Sequence, residues 1–359
     1  MIIVRLVLMR RFRWWVGGAL VLVILLVGAF LVVGNNPAPA PGPPEGVPRV
    51  LVALGDSTIS GESAGDYEVG TDGEDGNWCH RSRHATIHQT ALIGIDDTVN
   101  LACSGAPSAQ VGLGEARQYT EGSQARRLGA LARQKRVVAV LVSVGANDDP
   151  GFARVLDACV QAWFDRDKPG CAESAGKDWP GKVDAMVPKV LDAINDIRDV
   201  MRDAGYRPTD YQLVLQSYAA PISPDALDSL RNLNGCPFRA DDLRWVRESA
   251  VPLLTEGARR VARESGARFL DLSRAGLGRE ACSREDASQE WFSRLSVRWA
   301  DLQDDARATH ALQESFHPNA AGHTAFGRCL GEFLATSDRA AACLPGDTGD
   351  LHAATSIGP

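Results

Sequence analysis

Several features are missing from this sequence, and each absence excludes a class of protein. Only 6% of the 359 residues are aromatic, but 45% are hydrophobic and 23% charged, which is ordinary globular composition and not that of a disordered or fibrous chain. The net charge is −7 and the body of the chain has no basic stripe, so nucleic acid is not expected as a partner. Internal repeats and coiled-coil heptads are absent, and the length suits one large α/β domain.

The longest stretch without charge lies at the N-terminus. Arginines within residues 5–13 precede Trp14–Val33, a run of 20 residues with no charged side chain. At a rise of about 1.5 Å per residue, a helix of this length crosses the ~30 Å hydrocarbon core of a bilayer. Residues 1–34 are therefore predicted to be a signal anchor with a cytoplasmic N-terminus, which places the rest of the chain outside. The alternative is a cleaved signal peptide, because Ala38-Pro39-Ala40 has the form of a cleavage site.

Cysteine is present, but not in the patterns that bind zinc or carry out redox chemistry. None of the eight cysteines belongs to a CxxC pair, and none precedes Cys79, which excludes a lipoprotein. An even count beyond a membrane favours four disulfides, although about a hundred connectivities are possible. The working hypothesis joins neighbours in sequence: Cys79 with Cys103, Cys159 with Cys171, Cys236 with Cys282, and Cys329 with Cys343.

The rest of the chain divides into three parts. Residues 35–48 are rich in proline and predict a stiff, extended linker. The folded domain is expected over residues 49–343, and residues 344–359 are expected to form a short flexible tail. This organisation predicts a single catalytic or binding domain held at the end of a tether.

Within the domain, short apolar runs alternate with amphipathic stretches. The runs that predict strands are Val50–Leu54, Thr98–Ala102, Val137–Val144, Gln212–Gln216 and Arg268–Leu272. The stretches that predict helices include Met186–Arg202, Asp241–Glu264 and Asn319–Ala335. Alternation of this kind predicts a flavodoxin-like, doubly wound α/β fold, with a five-stranded parallel sheet covered by helices on both faces.

Polar residues follow several of these strands, where open parallel sheets bind their ligands. Gly55-Asp56-Ser57 follows the first strand, Gly105 follows the second, and Gly145-Ala146-Asn147-Asp148 follows the third. His317 lies just before the last helix. A serine needs a base within hydrogen-bond reach to become a strong nucleophile, and a histidine can take its proton and later return it to the leaving group.

These four blocks, in this order over about Arg49–Ala335, resemble the SGNH (GDSL-like) hydrolases, especially exported bacterial lipases and esterases. The resemblance implies Ser57 as nucleophile and His317 as base. It also implies an oxyanion hole formed by the backbone N–H groups of Ser57 and Gly105 with the side-chain amide of Asn147. Carboxylic esters would be cleaved through an acyl-enzyme, without a metal or an organic cofactor.

The sequence departs from the family at the third catalytic position. The family usually has aspartate three residues before the histidine, where this chain has Glu314. A glutamate is one methylene longer. Either its carboxylate or the backbone carbonyl at position 314 is expected to orient His317, since the orienting group is required but its type varies.

A second serine motif lies close to the first. Gly61-Glu62-Ser63-Ala64-Gly65 fits the G-x-S-x-G nucleophile elbow of α/β-hydrolases. That elbow requires a strand directly before it and a helix directly after it, whereas the first strand ends at Gly55 and more glycines follow Gly65. We therefore interpret the match as a coincidence.

Two other patterns have simple explanations. The histidines at 80, 84 and 88 are spaced by four residues, but no carboxylate with helical ligand spacing accompanies them, and neighbouring arginines would repel a cation. No metal site is therefore expected. The acidic residues within 66–75 do not have EF-hand spacing and are interpreted as a solvated surface loop.

The substrate is less visible than the chemistry. Lipid or other acyl esters suit an enzyme anchored beside a membrane, and acetylated polysaccharide is the alternative substrate. A non-catalytic protein of the cell envelope that keeps the fold is the competing class. It has no need of Ser57, Asn147 and His317 together, so the sequence favours the hydrolase.

Overall fold

The computed structural model describes residues 42–149, 151–305 and 307–355. The predicted anchor at residues 1–34 and the first part of the predicted linker lie outside these residues. Within them, no helix combines the length and the apolar character that spanning a bilayer requires.

One sheet organises the described chain. Its strands are β1 (Arg49–Gly55), β2 (Asp97–Asn100), β3 (Arg136–Ser143), β4 (Gln212–Gln216), β5 (Arg268–Asp271), β6 (Ala340–Pro345) and β7 (Leu351–Thr355). Their order across the sheet is β2-β1-β3-β4-β5-β6-β7. Neighbouring strands from β2 to β6 pair in parallel, and β7 pairs antiparallel with β6. The predicted α/β fold with a mostly parallel sheet is confirmed, and the first five strands have the flavodoxin-type order.

The predicted number of five strands is wrong, because β6 and β7 extend the sheet beyond β5. Their sequences are rich in alanine, which is depleted in strands, so local propensity does not reveal them. They form because β5 would otherwise leave an unpaired edge, which β6 occupies with Phe269 opposite Ala340. Part of the segment expected to be a flexible tail is strand β7, which a turn from Gly346 to Asp350 folds back onto β6.

Helices connect the strands. They are α1 (Ser57–Ser60), α2 (Ser108–Val111), α3 (Gln124–Ala132), α4 (Phe152–Phe164), α5 (Cys171–Gly176), α6 (Trp179–Asp203), α7 (Ala240–Trp245), α8 (Val251–Ser265) and α9 (Ala320–Leu334). A π-helical turn at Val246–Ala250 joins α7 to α8. Short 3-10 turns lie at Glu74–Gly76, Thr86–Gln89, Asp228–Leu230, Ala287–Gln289, Asp301–Gln303 and Ala308–His310.

The core lies between the sheet and these helices. Residues 50–54 of β1 are fully buried, as expected for a strand covered on both faces. The long helix α6 buries residues 183, 186, 187, 190, 194 and 197, a spacing of three and four that gives it one apolar stripe. With this stripe α6 packs against α8 and α3. The apolar pattern of the sequence therefore sets which face of each helix meets the core.

Four disulfides fasten the loops and the last helix to this core. They join Cys79–Cys103, Cys159–Cys171, Cys236–Cys282 and Cys329–Cys343, the same neighbouring pairs as in the sequence hypothesis. The first pair holds residue 79 beside the turn that follows β2, and the last pair ties α9 to β6. Each closes a loop of the chain, which lowers the conformational entropy of the unfolded state.

The end of β1 generates a stability prediction. Gly55 has φ +142°, and a Cβ there would meet the carbonyl oxygen of Ser143. We expect Gly55→Ala to lower the free energy of unfolding by about 3 kcal/mol or more, from backbone strain and overpacking together. Gly70→Ala is the matched control, because Gly70 also has positive φ but open space around it. It should cost about 1 kcal/mol. The measurement is urea unfolding of the oxidised proteins. If both variants lost the same free energy of unfolding, the close approach of Gly55 to the carbonyl oxygen of Ser143 would be contradicted.

Candidate active site

A cleft of about 620 Å³ opens beside the carboxyl ends of β1 and β3. This is the point where the strand order reverses direction, the usual ligand site of such sheets. Ser57, Gly105, Asn147 and His317 all line the cleft. The structure therefore brings four of the five predicted site residues to one place, although they lie far apart in sequence.

The turn after β1 presents Ser57 to the cleft. Asp56 caps the short helix α1 by accepting a hydrogen bond from the amide of Thr58 at 3.1 Å, and Ser57 is the first residue of that helix. Before the turn, the side chain of Gln124 makes two hydrogen bonds with the backbone of Gly55, at 2.8 and 2.9 Å. The serine thus stands on a backbone that is fixed on both sides.

His317 contacts this serine directly. Its Nε2 lies 2.9 Å from Ser57 Oγ. The preceding residue, Phe316, has a left-handed backbone with φ +60°, an uncommon conformation for a bulky residue. Hydrogen bonds between the backbones of residues 316 and 317 and that of Ser293 hold this turn. Burial lowers the pKa of the His317 imidazole below its ordinary value, which favours the neutral form that can accept a proton.

Glu314 is not placed where the sequence analysis expected it. His317 Nδ1 lies 3.1 Å from the carbonyl oxygen of Ser315, so neither the carboxylate nor the carbonyl of Glu314 orients the ring. The carboxylate instead accepts a hydrogen bond from the hydroxyl of Tyr67 at 2.7 Å and lies 3.9 Å from the guanidinium of Arg298. The longer side chain reaches these partners on distant segments, and the left-handed turn brings the carbonyl one residue later to the imidazole.

The turns that carry Gly105 and Asn147 are bonded to each other. Gly105 has φ +76° in the turn after β2, a conformation that glycine adopts without strain. The carboxylate of Asp148 accepts hydrogen bonds from the amide and the hydroxyl of Ser108. Asn147 Nδ2 lies 3.5 Å from the carbonyl oxygen of Ala106. Residues from two different strand ends therefore line the same cleft as the serine.

Sequence reasoning missed a tyrosine that supports the turn after β1 and the turn after β3. The hydroxyl of Tyr218 donates a hydrogen bond to the buried carboxyl of Asp56 and accepts one from the amide of Ala146. Burial raises the pKa of Asp56 to about 7, although its hydrogen bonds act in the opposite direction. The one available signal was that Tyr218 follows β4, at the same edge of the sheet as the other site residues.

A cluster of buried charges lies between the loop after α1 and the segment before His317. Glu62 and His80 are fully buried; His80 Nδ1 is 2.5 Å from Glu62, and its Nε2 is 3.2 Å from Asp72. Burial lowers the pKa of His80, but hydrogen bonds and charges from Asp72 and Glu62 outweigh this and raise it to about 9. Asp72 also forms an ion pair with Arg298. The expectation of a solvated acidic loop is therefore wrong for Asp72, because its side chain is only 33% exposed and pairs with His80 and Arg298.

The same cluster contains the group in the described chain whose atoms could hold a metal ion. Glu62, His80 and Glu314 have ligand atoms within 4.8 Å of one another. His80 already pairs with Glu62, however, and Arg298 places a positive charge next to Glu314. These partners satisfy the carboxylates without a cation. The three histidines of the sequence pattern share no helix face, because residue 80 has φ +45° and lies outside any helix.

Ser63, in the G-x-S-x-G motif, is also placed by the structure. Its hydroxyl shares a hydrogen bond with that of Ser293, and its amide bonds the hydroxyl of Tyr67. No helix begins at this residue. The strand–turn–helix geometry of a nucleophile elbow is therefore absent from these residues, as the sequence analysis expected.

Comparisons with known proteins agree with this geometry. The sequence matches the GDSL-like Lipase/Acylhydrolase family over residues 53–325. No curated protein sequence matches the chain significantly. A phospholipase A1 from Streptomyces albidoflavus NA297 is similar in structure, with a TM-score of 0.52, 21% identity, and coverage of 77% of this chain and 95% of that one. This likeness shows the shared fold.

Two further solved structures are less similar. An extracellular lipase from Streptomyces rimosus has a TM-score of 0.47 and 20% identity, over 77% of this chain and 94% of the lipase. A carbohydrate acetylesterase from Sinorhizobium meliloti has a TM-score of 0.38 and 12% identity, over 80% of this chain and 98% of the esterase.

The family match spans most of the chain and includes all four motif blocks in full. The cleft lies where this fold binds its ligands, and it contains a serine and a histidine in hydrogen-bond contact. The chain belongs to the GDSL-like lipase/acylhydrolase family and is an ester hydrolase.

Proposed function

We propose that this enzyme cleaves carboxylic esters of acyl chains through an acyl-enzyme formed on Ser57. The observation that carries the proposal is the 2.9 Å contact between Ser57 Oγ and His317 Nε2 within the cleft. As Oγ attacks the ester carbonyl, His317 takes its proton and then gives it to the leaving alcohol. Water, activated by the same imidazole, attacks the acyl-enzyme, and the proton returns to Ser57 as the acid leaves.

An oxyanion hole would stabilise the tetrahedral intermediates. Its donors are the backbone N–H groups of Ser57 and Gly105 and the side-chain amide of Asn147. The support is that all three residues line the cleft and that the turns of Gly105 and Asn147 are fixed by hydrogen bonds. Donors that are already in place need no reorganisation as the negative charge develops.

We assign the orienting role to the backbone carbonyl of Ser315 and give none to the carboxylate of Glu314. A carbonyl that accepts from Nδ1 leaves the lone pair on Nε2, which is the nitrogen that faces Ser57. The catalytic pair is then Ser57 and His317, with a neutral group behind the imidazole.

The lining of the cleft favours a long acyl chain over an acetyl group. Residues of α4 line one part of the cleft, and apolar side chains close in sequence to His317 line another. The apolar lining comprises Phe152, Leu156, Val160, Leu295, Leu312 and Phe316. An acetyl group would leave most of this surface in contact with water, whereas each methylene of a longer chain buried there contributes about 0.8 kcal/mol. A lipid ester is therefore the proposed substrate class, and a carbohydrate O-acetyl ester is the second candidate.

The enzyme would act outside the cytoplasm. Four disulfides suit an oxidising compartment. The apolar run of residues 14–33, preceded by arginines, supports export with the N-terminal segment as an anchor, or as a signal that is removed. In the anchored form, the proline-rich linker would hold the cleft near the membrane surface, where lipid esters are found.

A fluorophosphonate probe tests the nucleophile. The wild-type protein should be labelled, and Ser57→Ala should not, because the probe reacts with a serine hydroxyl that has a base beside it. Ser63→Ala is the control and should be labelled like the wild type. Labelling that persists in Ser57→Ala, as measured by mass spectrometry of the modified peptide, would refute the assignment, and an unlabelled wild type would favour the non-catalytic class.

The third catalytic position gives a prediction about turnover. We expect Glu314→Gln to keep kcat within about tenfold of wild type, because its carboxylate contacts Tyr67 and not the imidazole. Asn147→Ala should lower kcat by about 10²–10³ with a smaller change in KM, since it removes an oxyanion donor. Both are measured with a p-nitrophenyl ester. If Glu314→Gln lowered kcat as much as Asn147→Ala does, Glu314 would have to be counted as the third member of a catalytic triad.

The acyl preference gives the last prediction from this site. Activity on p-nitrophenyl esters should rise from acetyl towards medium-length chains, and Leu156→Trp should shift the preference to shorter chains by filling the groove. Leu253→Trp, a partly exposed leucine on α8 outside the cleft lining, is the matched control and should leave the profile unchanged. Activity confined to acetyl esters and acetylated glycans would replace the lipid proposal.

A further inference from the structure

Glu62, which belongs to the G-x-S-x-G motif set aside in the sequence analysis, lies directly behind the nucleophile. Its backbone amide donates to the carbonyl oxygen of Ser57 at 3.2 Å. Its side chain is 0% exposed, although it carries a carboxylate. A buried carboxylate without partners would strongly destabilise the fold, so the partners of Glu62 explain how its burial is tolerated.

One partner leads to the base. Glu62 Oε2 accepts a hydrogen bond from Nε2 of Gln313 at 2.8 Å, and Gln313 is four residues before His317. The same nitrogen lies 2.9 Å from Ser104 Oγ, next to Gly105. The segments of the nucleophile, the oxyanion turn and the base therefore converge on the Glu62–Gln313 contact.

The other partner is His80, which stacks on Tyr67 and bonds Glu62 Oε1. Burial raises the pKa of Glu62, but the hydrogen bond and the charge of His80 outweigh it, and the net shift is below the ordinary value. Glu62 is therefore ionised at neutral pH. Its charge remains inside the protein, in contact with Gln313 of the segment that carries His317.

That charge matters because the group on His317 Nδ1 is a neutral carbonyl. The imidazolium that forms during catalysis has no carboxylate bonded to it. Among the described residues, the titratable and charged groups around His317 and Glu62 are Glu314, His80, Asp72, Arg298, Tyr67, Tyr119, Asp56, His310 and His323. Burial lowers the pKa of His317 most; Glu62 is the charge that raises it most, with a smaller contribution from Glu314 and an opposing one from His80.

We propose that Glu62 is a positioning residue of the active site, which holds the His317 segment against the Ser57 segment through Gln313 and supplies the negative charge that stabilises the imidazolium. This inference rests on the proposed roles of Ser57 and His317. In a triad, an aspartate bonded to the histidine stabilises the imidazolium by its charge. Here Glu62 would have the same effect without contacting the imidazole directly.

The test is the pH profile of kcat/KM for Glu62→Gln, which keeps the shape of the side chain. His317 acts as a base when neutral, so activity falls as the pH drops through its pKa. Without the charge of Glu62, protonation becomes harder and the acid limb should move to lower pH. At the same time kcat should fall by about 10–100-fold with KM little changed, since the imidazolium is less stable in the transition state.

Glu256→Gln is the matched control. Glu256 forms half-exposed ion pairs with arginines on α8 and does not line the cleft, so its removal should leave both the limb and kcat unchanged. The proposal would be overturned if Glu62→Gln had the stability of the wild type and also kept its kcat and the acid limb of its pH profile. A loss of kcat without a shift of the limb would overturn the electrostatic part.

A second variant keeps the proposal testable if Glu62→Gln does not fold. Gln313→Met removes the contact but leaves the charge, so kcat should fall by about tenfold while the acid limb stays near its wild-type position. Unchanged kcat in Gln313→Met would refute the positioning role. Failure of the proposed catalytic pair is distinguishable, because the wild-type protein would then not be labelled at Ser57, whereas Glu62→Gln should still be labelled, only more slowly.

Discussion

The active site depends on one hydrogen bond between residues 260 positions apart, Ser57 and His317. Neither residue can be held by local structure alone: α1 has four residues, and the histidine precedes its helix in a left-handed turn. The sheet supplies the frame, because β1 ends at the serine and the closing helix begins just after the histidine. The hydrogen bonds at Gly55, Asp56 and Phe316 each fix one side of this contact.

Two kinds of interaction fix it. Hydrogen bonds between side chains and backbone hold the strand ends: Gln124 accepts one from the amide of Gly55, and Tyr218 accepts one from the amide of Ala146. Buried charges hold the loops, as Glu62 and His80 do between α1 and the segment before His317. Buried ion pairs add little net stability, since desolvation offsets their attraction. Their presence beside a catalytic cleft is consistent with a role in geometry and electrostatics.

The site also shows how a family pattern can be met by different atoms. The position usually held by aspartate is Glu314 here, and its carboxylate turns to Tyr67 and Arg298. The backbone carbonyl of Ser315 contacts the imidazole instead, and we propose that the charge of Glu62 acts on it from another segment. In this proposal, two separate groups provide the orienting acceptor and the negative charge that one aspartate can provide. Side-chain identity at one aligned position is therefore a weak guide to function.

The sequence by itself determined the α/β fold class, the first five strands and four of the residues that line the cleft, because apolar periodicity and the position of polar residues after strands are local signals. It did not determine the alanine-rich strands β6 and β7. The first pairs with the edge of β5, and the second pairs with β6. Nor did the sequence reveal the partners of Glu314, Glu62 and Tyr218. Those contacts join distant segments, and the direction of a long side chain is decided by the partners that the tertiary structure brings within its reach.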